Sequence, residues 1–291
     1  MRRITVAVLL ALVAAALAGA EKPEFSFGVV ADVQYADKDP AGRRDYRASL
    51  DKLAACVAAI EKEKPAFLIQ LGDLVDGGLA NVDRILPVFQ RFSGPKYHVL
   101  GNHDLGAGRG AVLQRLGLAR GYYNFAVKDW HFIVLDGMQV SAADAAGKQE
   151  YERLRAAGAP NAQEWNGGLG REQHEWLHHR LHDATAVGDR AVVFCHFPVL
   201  AAASSPQHLL WDHQEVLALF AGEPATVAYI AGHDHRGGYA ESGGVHFVTI
   251  KGLVEWPAED SCKVFDVYPD RLVMRAAGRT DAERTMRLRQ R

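Results

Sequence analysis

The sequence predicts an α/β fold with a β-rich C-terminal part, and three observations support this class. Short apolar runs recur along the chain, and each closes on a polar residue, as buried strands of an α/β sheet do. A stretch with apolar residues at helical spacing separates the first two runs. After Val245, strand-like runs continue across the turn residues Tyr268-Pro269-Asp270. Together these patterns indicate strands mixed with helices.

The first twenty residues have the pattern of an export signal. Arg2 and Arg3 precede an apolar run from Ile4 to Leu17, and small residues at 18–20 supply a cleavage site. The run of about 14 apolar residues is shorter than the ~20 that span a bilayer. We therefore expect a signal peptide over residues 1–20, a periplasmic or secreted protein, and no stable membrane anchor after cleavage.

The composition is that of a globular protein. Apolar residues make up 48% of the chain and charged residues 23%, which allows a large core. Residues 21–291 contain no repeat or linker, so we expect one domain. The formal net charge is −2 without a strongly basic block, which argues against a nucleic-acid partner. We interpret the short basic C-terminal stretch as a solvated tail, comprising Arg284, Arg287, Arg289 and Arg291.

The apolar runs predict six buried strands. They span Phe25–Asp32, Ala66–Asp73, Tyr97–Asp104, Phe132–Asp136, Ala191–His196 and Val227–His235.

Two helices are predicted between these runs. Residues 45–62 repeat apolar side chains at helical spacing, and Pro65 prevents the helix from continuing. A second helix is predicted over residues 171–181, after the loop at 165–168. The first helix completes a strand-helix-strand unit.

Three cysteines leave the redox chemistry open. Cys56, Cys195 and Cys262 are widely spaced and form no C-x-x-C motif, so neither a zinc ribbon nor a disulfide framework is encoded. After export one pair could form a disulfide, and the sequence does not select the pair. Cys195 adjoins His196, but neighbouring side chains of a strand point to opposite faces, so we expect Cys195 in the core.

Side chains that can bind metal stand at the ends of the predicted strands. The segments are Asp32-Val33-Gln34, Gly72-Asp73-Leu74-Val75-Asp76, Gly101-Asn102-His103-Asp104, His196 and Gly232-His233-Asp234-His235. One such aspartate is usually a turn or helix cap, and one such histidine is usually a polar residue with satisfied hydrogen bonds. Five segments in order predict a functional site, because chemical groups gather at the carboxyl ends of strands in α/β sheets.

This series resembles the calcineurin-like metallophosphoesterases, whose pattern is D-x-H, G-D-x-x-D, G-N-H-[DE], a lone His and G-H-x-H. Gln34 departs from it, because most members have histidine there. In having glutamine at this position, the sequence resembles the branch of manganese-dependent ADP-ribose/CDP-alcohol diphosphatases. Residues 31–37, 43–50, 166–168 and 232–239 also agree with that branch. The resemblance implies a β-sandwich flanked by helices, in four αββα layers.

The resemblance also implies two divalent metal ions held by seven residues. The first ion would be bound by Asp32, Gln34 and His235, the second by Asn102, His196 and His233, with Asp73 bridging both. Oxygen and imidazole donors without a thiolate suit manganese, iron or zinc. The amide of Gln34 in place of an imidazole favours manganese.

The resemblance assigns a proton donor to the site. His103 would protonate the leaving oxygen, oriented by either Asp76 or Asp104. The sequence does not choose between these two carboxylates, and each could instead serve a turn or a helix cap.

Other polar residues give weaker indications. Tyr35, Arg43 and Arg44 follow the first ligands and are candidate substrate contacts, although a solvated loop would explain them too. The helical histidines lack strand-end placement and we expect them, with His213, to face solvent without a chemical role: His174, His178 and His179.

The leading functional prediction is a binuclear-metal hydrolase that cleaves the phosphoanhydride of nucleotide diphosphate compounds, such as ADP-ribose or CDP-alcohols, through attack by metal-activated water. Its partner would be that small-molecule substrate, and the sequence leaves the oligomeric state open. The alternatives are a phosphomonoesterase or cyclic-nucleotide phosphodiesterase, because the same ligands serve those substrates. A non-catalytic metal- or nucleotide-binding protein is a third possibility.

Overall fold

The protein is described by a computed structural model covering residues 21–289, and the predicted signal peptide at 1–20 lies outside these residues. Two six-stranded sheets pack face to face, and helices cover their outer faces. This arrangement confirms the predicted four-layer αββα sandwich. None of the helices in residues 21–289 is long and apolar enough to cross a membrane.

The first sheet has the strand order β14-β13-β12-β1-β2-β3. Its strands are β1 (Phe25–Val30), β2 (Phe67–Leu71), β3 (Lys96–Val99), β12 (Lys263–Val267), β13 (Arg271–Ala276) and β14 (Arg284–Arg287). Strands β1, β2 and β3 are parallel, with Gly28 opposite Leu68 and Ile69 opposite Tyr97. The C-terminal strands β12, β13 and β14 are antiparallel, as is the β1–β12 pair. The parallel half therefore directs three strand ends to one edge.

The second sheet has the strand order β10-β11-β9-β8-β5-β4. Its strands are β4 (Tyr123–Val127), β5 (Trp130–Val134), β8 (Arg190–Phe194), β9 (Thr226–Ala231), β10 (Gly238–Ser242) and β11 (Val245–Thr249). Strands β5, β8, β9 and β11 are parallel, and β4 and β10 are antiparallel to their neighbours. A separate two-stranded ribbon pairs β6 (Val140–Ser141) with β7 (Gly167–Gly168).

Seven helices connect the strands within the described part of the chain. They are α1 (Ser49–Glu63), α2 (Leu79–Phe89), α3 (Arg109–Leu116), α4 (Ala145–Ala156), α5 (Arg171–Val187), α6 (His213–Gly222) and α7 (Ala258–Ser261). Apolar residues of α1, α2 and α3 pack on the first sheet, and those of α5 and α6 pack on the second. Gly28 allows close packing, because a Cβ atom there would lie 2.6 Å from the Ile60 side chain of α1.

Aromatic rings fill the space between the sheets. Phe27 stacks on Phe67 of the same sheet, with ring centroids 5.0 Å apart. It meets Phe132 and Phe194 of the opposite sheet edge-on, at 5.5 and 6.0 Å. All four side chains are fully buried, and such offset and edge-on contacts are the favoured geometries for aromatic pairs. This core holds the two sets of strand ends in a fixed relation.

The six predicted strands and two predicted helices are present, with different ends. Each strand ends before its polar residue, as β1 does at Val30, two residues before Asp32. Helix α1 begins at Ser49 rather than Asp45.

The C-terminal prediction was wrong. Residues 284–287 form β14, which pairs with β13, and Met286 is fully buried, so this stretch is not a solvated tail. One buried apolar residue, Met286, between exposed Thr285 and Arg287 was too short a pattern to identify as an edge strand.

The structure selects the cysteine pair. Cys56 of α1 and Cys262, just before β12, form a disulfide with their Cα atoms 5.7 Å apart. The bond closes a loop between positions 206 residues apart and ties α1 to the first sheet. Cys195 is a buried free thiol, as expected for a core residue, and burial raises its pKa to about 12.

Candidate metal centre

Strand ends from both sheets meet at one edge, and the seven predicted ligands lie there. The backbone N–H of His233, after β9, donates to both carboxylate oxygens of Asp32, after β1, at 3.0 and 3.2 Å. Within the second sheet, Gly232 N–H donates to the carbonyl of His196 at 3.0 Å. Loops following strands of the two sheets are therefore joined directly at this edge.

The ligand loops have an unusual backbone conformation. Six non-glycine residues in the described part of the chain have positive φ, and four of them are predicted ligands. These are Asp32 (52°), Gln34 (43°), Asp73 (54°) and His233 (67°). The left-handed region costs a non-glycine residue on the order of 1–3 kcal/mol, and residues held there cluster at functional sites. The sharp turns follow three strands, β1, β2 and β9, and direct these side chains towards one point.

The first predicted ligand group is assembled around Gln34. The Nε2 atom of Gln34 lies 3.2 Å from His235 Nε2 and 3.0 Å from Asp73 Oδ2. His235 Nε2 lies 3.3 Å from Asp32 Oδ1. Gln34 Oε1 is buried and has no hydrogen-bond partner among residues 21–289. Rotating the amide leaves its shape unchanged and turns this acceptor towards His235 and Asp73, where a cation would satisfy it.

The second predicted group surrounds His196 Nε2. Asn102 Oδ1 and His233 Nδ1 each lie 3.2 Å from this atom, and Asp73 Oδ2 lies 3.4 Å away. The four atoms belong to residues from both sheets. Asp73 thus contacts both groups, as expected for a bridging ligand.

The outer ring nitrogens of these histidines fix their tautomers. His196 Nδ1–H donates to the carbonyl of Leu71 at 2.8 Å, and His233 Nε2–H donates to Asn166 Oδ1 at 2.9 Å. The inner nitrogens therefore carry lone pairs that face one another. Such lone pairs repel unless a proton or a metal cation lies between them.

Glu255 fixes the tautomer of His235 in the first group. Its Oε1 atom lies 2.9 Å from His235 Nδ1 and accepts that N–H, while Arg44 Nε lies 3.5 Å from the same oxygen. A carboxylate on the outer nitrogen is a common support for a metal-binding histidine.

Sequence reasoning assigned no role to Asn166 or Glu255. Asn166 lies in a segment noted only for its agreement with the family branch, and Glu255 carries no motif of its own. Asn166 has a detectable signal, since it precedes two glycines, but its partner His233 is 67 positions away.

The electrostatics of this cluster favour positive charge. Burial opposes ionisation of His196 and His235, but neighbouring Asp73 and Asp32 outweigh burial and raise the two pKa values to about 9 and about 10. Burial likewise opposes charge on Asp73, yet the facing histidines hold its pKa well below the usual range. Burial and His196 lower the pKa of His233. Protons on histidine thus occupy positions suited to metal cations.

The donor set fits two divalent cations. Three imidazoles, two carboxylates and two amide oxygens converge without a thiolate, and this mixture suits manganese, iron or zinc. Cations would satisfy both the unpartnered Gln34 Oε1 and the facing ring nitrogens of His196 and His233.

His103 lies beside the bridging residue. Its backbone N–H donates to Asp73 Oδ1 at 2.8 Å, and its Nε2 lies 3.9 Å from Asp73 Oδ2. Its Nδ1 lies 2.7 Å from Asp76 Oδ1, and Asp76 also pairs with Lys38. Burial raises the pKa of Asp76, but the hydrogen bonds from Lys38 and His103 lower it overall. Asp76 is thus an ionised partner that orients His103.

Asp104 does not contact the His103 ring in this way. Its carboxylate is buried and accepts backbone N–H groups of Asp73, Val75 and Gly101, at 2.9, 3.1 and 3.0 Å. Burial and the neighbouring Asp73 raise its pKa to about 7. The prediction that left Asp104 as a candidate catalytic residue is corrected, because it holds two ligand loops together instead.

The three candidate substrate contacts have different surroundings. Tyr35 is buried in the core beneath α1 and α2, which does not support a substrate contact. Arg44 is engaged with Glu255. Arg43 is exposed, and its guanidinium lies 4.4 Å from the ring centroid of Trp256.

The prediction for His174 was wrong. His178 and His179 are exposed as expected, but His174 is largely buried, with Nε2 2.7 Å from Asp212 Oδ2. His213 is also half-buried and its ring lies 3.0 Å from the carbonyl of Leu210. The amphipathic pattern of α5 did not reveal that α6 covers this position.

Comparisons with known proteins agree with this geometry. The calcineurin-like phosphoesterase family model matches residues 25–237. The manganese-dependent ADP-ribose/CDP-alcohol diphosphatase of Oryza sativa subsp. japonica is 34% identical, over 88% of this chain and 92% of that protein. The protein of the same name from Arabidopsis thaliana is 33% identical, over 87% of this chain and 94% of its own length.

A solved structure extends the agreement to three dimensions. The crystal structure of a dimetal phosphatase from Danio rerio has a TM-score of 0.82 and 28% identity, covering 92% of this chain and 100% of that chain. The purple acid phosphatase of yellow lupin seeds shares the fold, with a TM-score of 0.62 and 11% identity over 91% of this chain and 54% of its own. With the family match spanning most of the sequence and the strand ends carrying its pattern, the chain belongs to the calcineurin-like phosphoesterase family.

Proposed function

We propose that this protein hydrolyses the phosphoanhydride bond of nucleotide diphosphate compounds such as ADP-ribose or CDP-alcohols. The observation that carries the proposal is its similarity, over nearly the whole chain, to relatives named manganese-dependent ADP-ribose/CDP-alcohol diphosphatase. The placement of Gln34 inside the ligand cluster supports the same branch.

Seven residues would hold two manganese ions in this proposal. One ion would be bound by Asp32, Gln34 and His235, the other by Asn102, His196 and His233, and Asp73 contacts both groups. When bound, such a metal pair lowers the pKa of a water molecule and neutralises charge on the phosphate oxygens. The protein supplies fixed tautomers through Leu71, Asn166 and Glu255, so the ligands need little rearrangement.

His103 is the proton donor to the leaving oxygen. Its Nδ1 is held by Asp76, which leaves Nε2 facing the cluster near Asp73. A positioned imidazole can give its proton to a leaving group in the transition state. The partial exposure of the ring leaves it accessible to a substrate and to solvent that restores the proton.

Relative rates on three kinds of substrate test this proposal. Purified protein with Mn²⁺ would be given ADP-ribose and CDP-choline, p-nitrophenyl phosphate, and a cyclic nucleotide, with Asp73→Asn as the inactive control. We expect the highest kcat/KM for the diphosphate compounds, with release of nucleoside monophosphate. A much higher value for the monoester or the cyclic nucleotide would replace the proposal with those activities. Metal loading without turnover of any substrate would favour a binding protein.

We also propose that the protein is exported and acts on extracellular or periplasmic nucleotides. The signal-like sequence at 1–20 supports this, as does the disulfide between Cys56 and Cys262, since disulfides persist mainly in oxidising compartments. Cell fractionation tests the proposal: activity should be found outside the cytoplasm and should return to the cytoplasm when residues 1–20 are deleted. Cytoplasmic activity of the intact chain would contradict export.

A further inference from the structure

Two cations share one aromatic ring in the segments next to Arg44 and Glu255. The guanidinium carbon of Arg43 lies 4.4 Å from the ring centroid of Trp256, and Lys251 Nζ lies 4.2 Å from the same centroid. Trp256 is half-buried, whereas Arg43 is exposed. The ring attracts each cation through its π-electrons and so restrains where the two side chains place their charge.

This cluster is close in the chain to residues that support His235. Arg44 and Glu255 form the ion pair that contacts the outer nitrogen of His235. Arg43 and Trp256 are their immediate neighbours in the chain. The same two segments therefore form two pairs: Arg44 with Glu255 at the ligand His235, and Arg43 with Trp256 nearer the surface.

Lys251 reaches the cluster from the other side of the same turn. The next residue, Gly252, donates its N–H to the carbonyl of His235 at 3.2 Å. The N–H of Trp256 in turn donates to the carbonyl of Gly252 at 3.1 Å, which closes the turn that carries Glu255. The turn that carries Lys251 and Trp256 is thus tied to the backbone of His235.

The positive charges of the cluster are only weakly paired with carboxylates. Arg43 has no ion pair with a carboxylate in residues 21–289, and Lys251 Nζ forms a long ion pair of 4.0 Å with Asp260 Oδ2. Other cations near the site are engaged: Lys38 with Asp76, Arg44 with Glu255, Arg109 with Asp136 and Arg236 with Asp234. Two like charges held at one ring repel each other, and a bound anion would reduce this repulsion.

We propose that Arg43, Lys251 and Trp256 form a subsite for the phosphate group of a diphosphate substrate that is not held by the metal centre. This inference rests on the proposed function and explains how the enzyme would select a diphosphate over a phosphomonoester. The cations bind the second phosphate by charge-assisted hydrogen bonds, and the Trp256 ring holds them in position. Trp256 is not the platform for a nucleobase, because the two cations already use its π-surface.

The space next to Lys251 suits the remainder of such a substrate. Lys251 lines a cavity of about 460 Å³ together with Arg236 and Tyr239. Arg236 directly follows the ligand His235 in the chain. A group attached to the second phosphate, either a sugar or an alcohol, would extend towards this cavity.

The test compares substrates that differ in one phosphate. Arg43→Ala and Lys251→Ala would each be assayed with ADP-ribose and with p-nitrophenyl phosphate, beside the wild type and Arg91→Ala. Arg91 is an exposed arginine just before β3, at the opposite end of the strands, and serves as the matched control. We expect each subsite variant to raise KM for ADP-ribose about tenfold, the loss of one charge-assisted hydrogen bond, with unchanged kinetics for the monoester.

Binding without turnover separates this inference from the proposed function. An α,β-methylene ADP analogue has two phosphates and a bridge that cannot be hydrolysed, so its dissociation constant is measurable even if the wild type lacks diphosphatase activity. Binding about tenfold weaker in Arg43→Ala than in Arg91→Ala supports the subsite. Equal binding in these two variants, or equal losses on monoester and diphosphate, overturns it. An inactive wild type that shows the binding difference would reject the proposed function alone.

Discussion

Replacing Glu255 by glutamine should weaken manganese binding without altering the direct ligands. Glu255 accepts the Nδ1–H of His235 at 2.9 Å, which orients the Nε2 lone pair towards Asp32 and Gln34. In Glu255→Gln the side chain keeps its shape but loses its charge, so the imidazole becomes a weaker and less strictly oriented ligand. Losing such a support typically costs 10–100-fold in metal affinity, or about 1.4–2.7 kcal/mol.

Titration with Mn²⁺ measures this loss, by calorimetry and by the activation of hydrolysis. Two binding steps are expected in the wild type, and only the step that involves His235 should weaken in Glu255→Gln. The matched control is Glu259→Gln, an exposed glutamate four residues further along the chain. If Glu255→Gln binds both ions as tightly as Glu259→Gln, then the carboxylate does not support the ligand and the reasoning is refuted.

Three other predictions follow from individual contacts. His98 is buried, and burial lowers its pKa to about 4, whereas the unfolded chain binds this proton near pH 6.5. The unfolding free energy is therefore highest above pH 6.5 and falls by about 2 kcal/mol at pH 5. Urea unfolding at both pH values should show this loss in the wild type but not in His98→Phe, and equal losses would contradict it. Asp104→Asn should lower the unfolding free energy by about 1–3 kcal/mol through its backbone contacts. Asp76→Asn should cost less stability than Asp104→Asn and should lower kcat about tenfold or more by releasing His103. The reverse pattern in melting and kinetics would exchange their roles. Cys56→Ala opens a loop of 206 residues and should lower the unfolding free energy by about 3–5 kcal/mol, so an unchanged urea midpoint would show that the disulfide contributes nothing.

Much of the fold was predictable because buried strands carry a strong local signal. The run before Asp32 and the run before Asp73 each close on a polar residue, and both are strands of the parallel half-sheet. Strand β14 was missed because it contains a single buried apolar residue, Met286, among exposed basic and polar ones. Its position depends on pairing with β13, and one sequence does not contain that information.

The ligands were predictable from their order, but their supports were not. Asp73 and His233 belong to short motifs, whereas Asn166 and Glu255 act through hydrogen bonds between distant segments. Which of Asp76 and Asp104 orients His103 could be decided only from the folded structure. Both follow a buried strand, and only the folded loops show one carboxylate at the His103 ring and the other at backbone N–H groups.

Counting the metal ions tests the central claim most directly. Purified protein loaded with Mn²⁺ and freed of excess would be measured for manganese per chain and by electron paramagnetic resonance, beside Asp73→Asn. We predict two ions per chain with a spin-coupled spectrum, since Asp73 contacts both ligand groups, and loss of the coupling in the variant. One ion per chain, or two uncoupled ions in the wild type, would contradict the account of a binuclear centre.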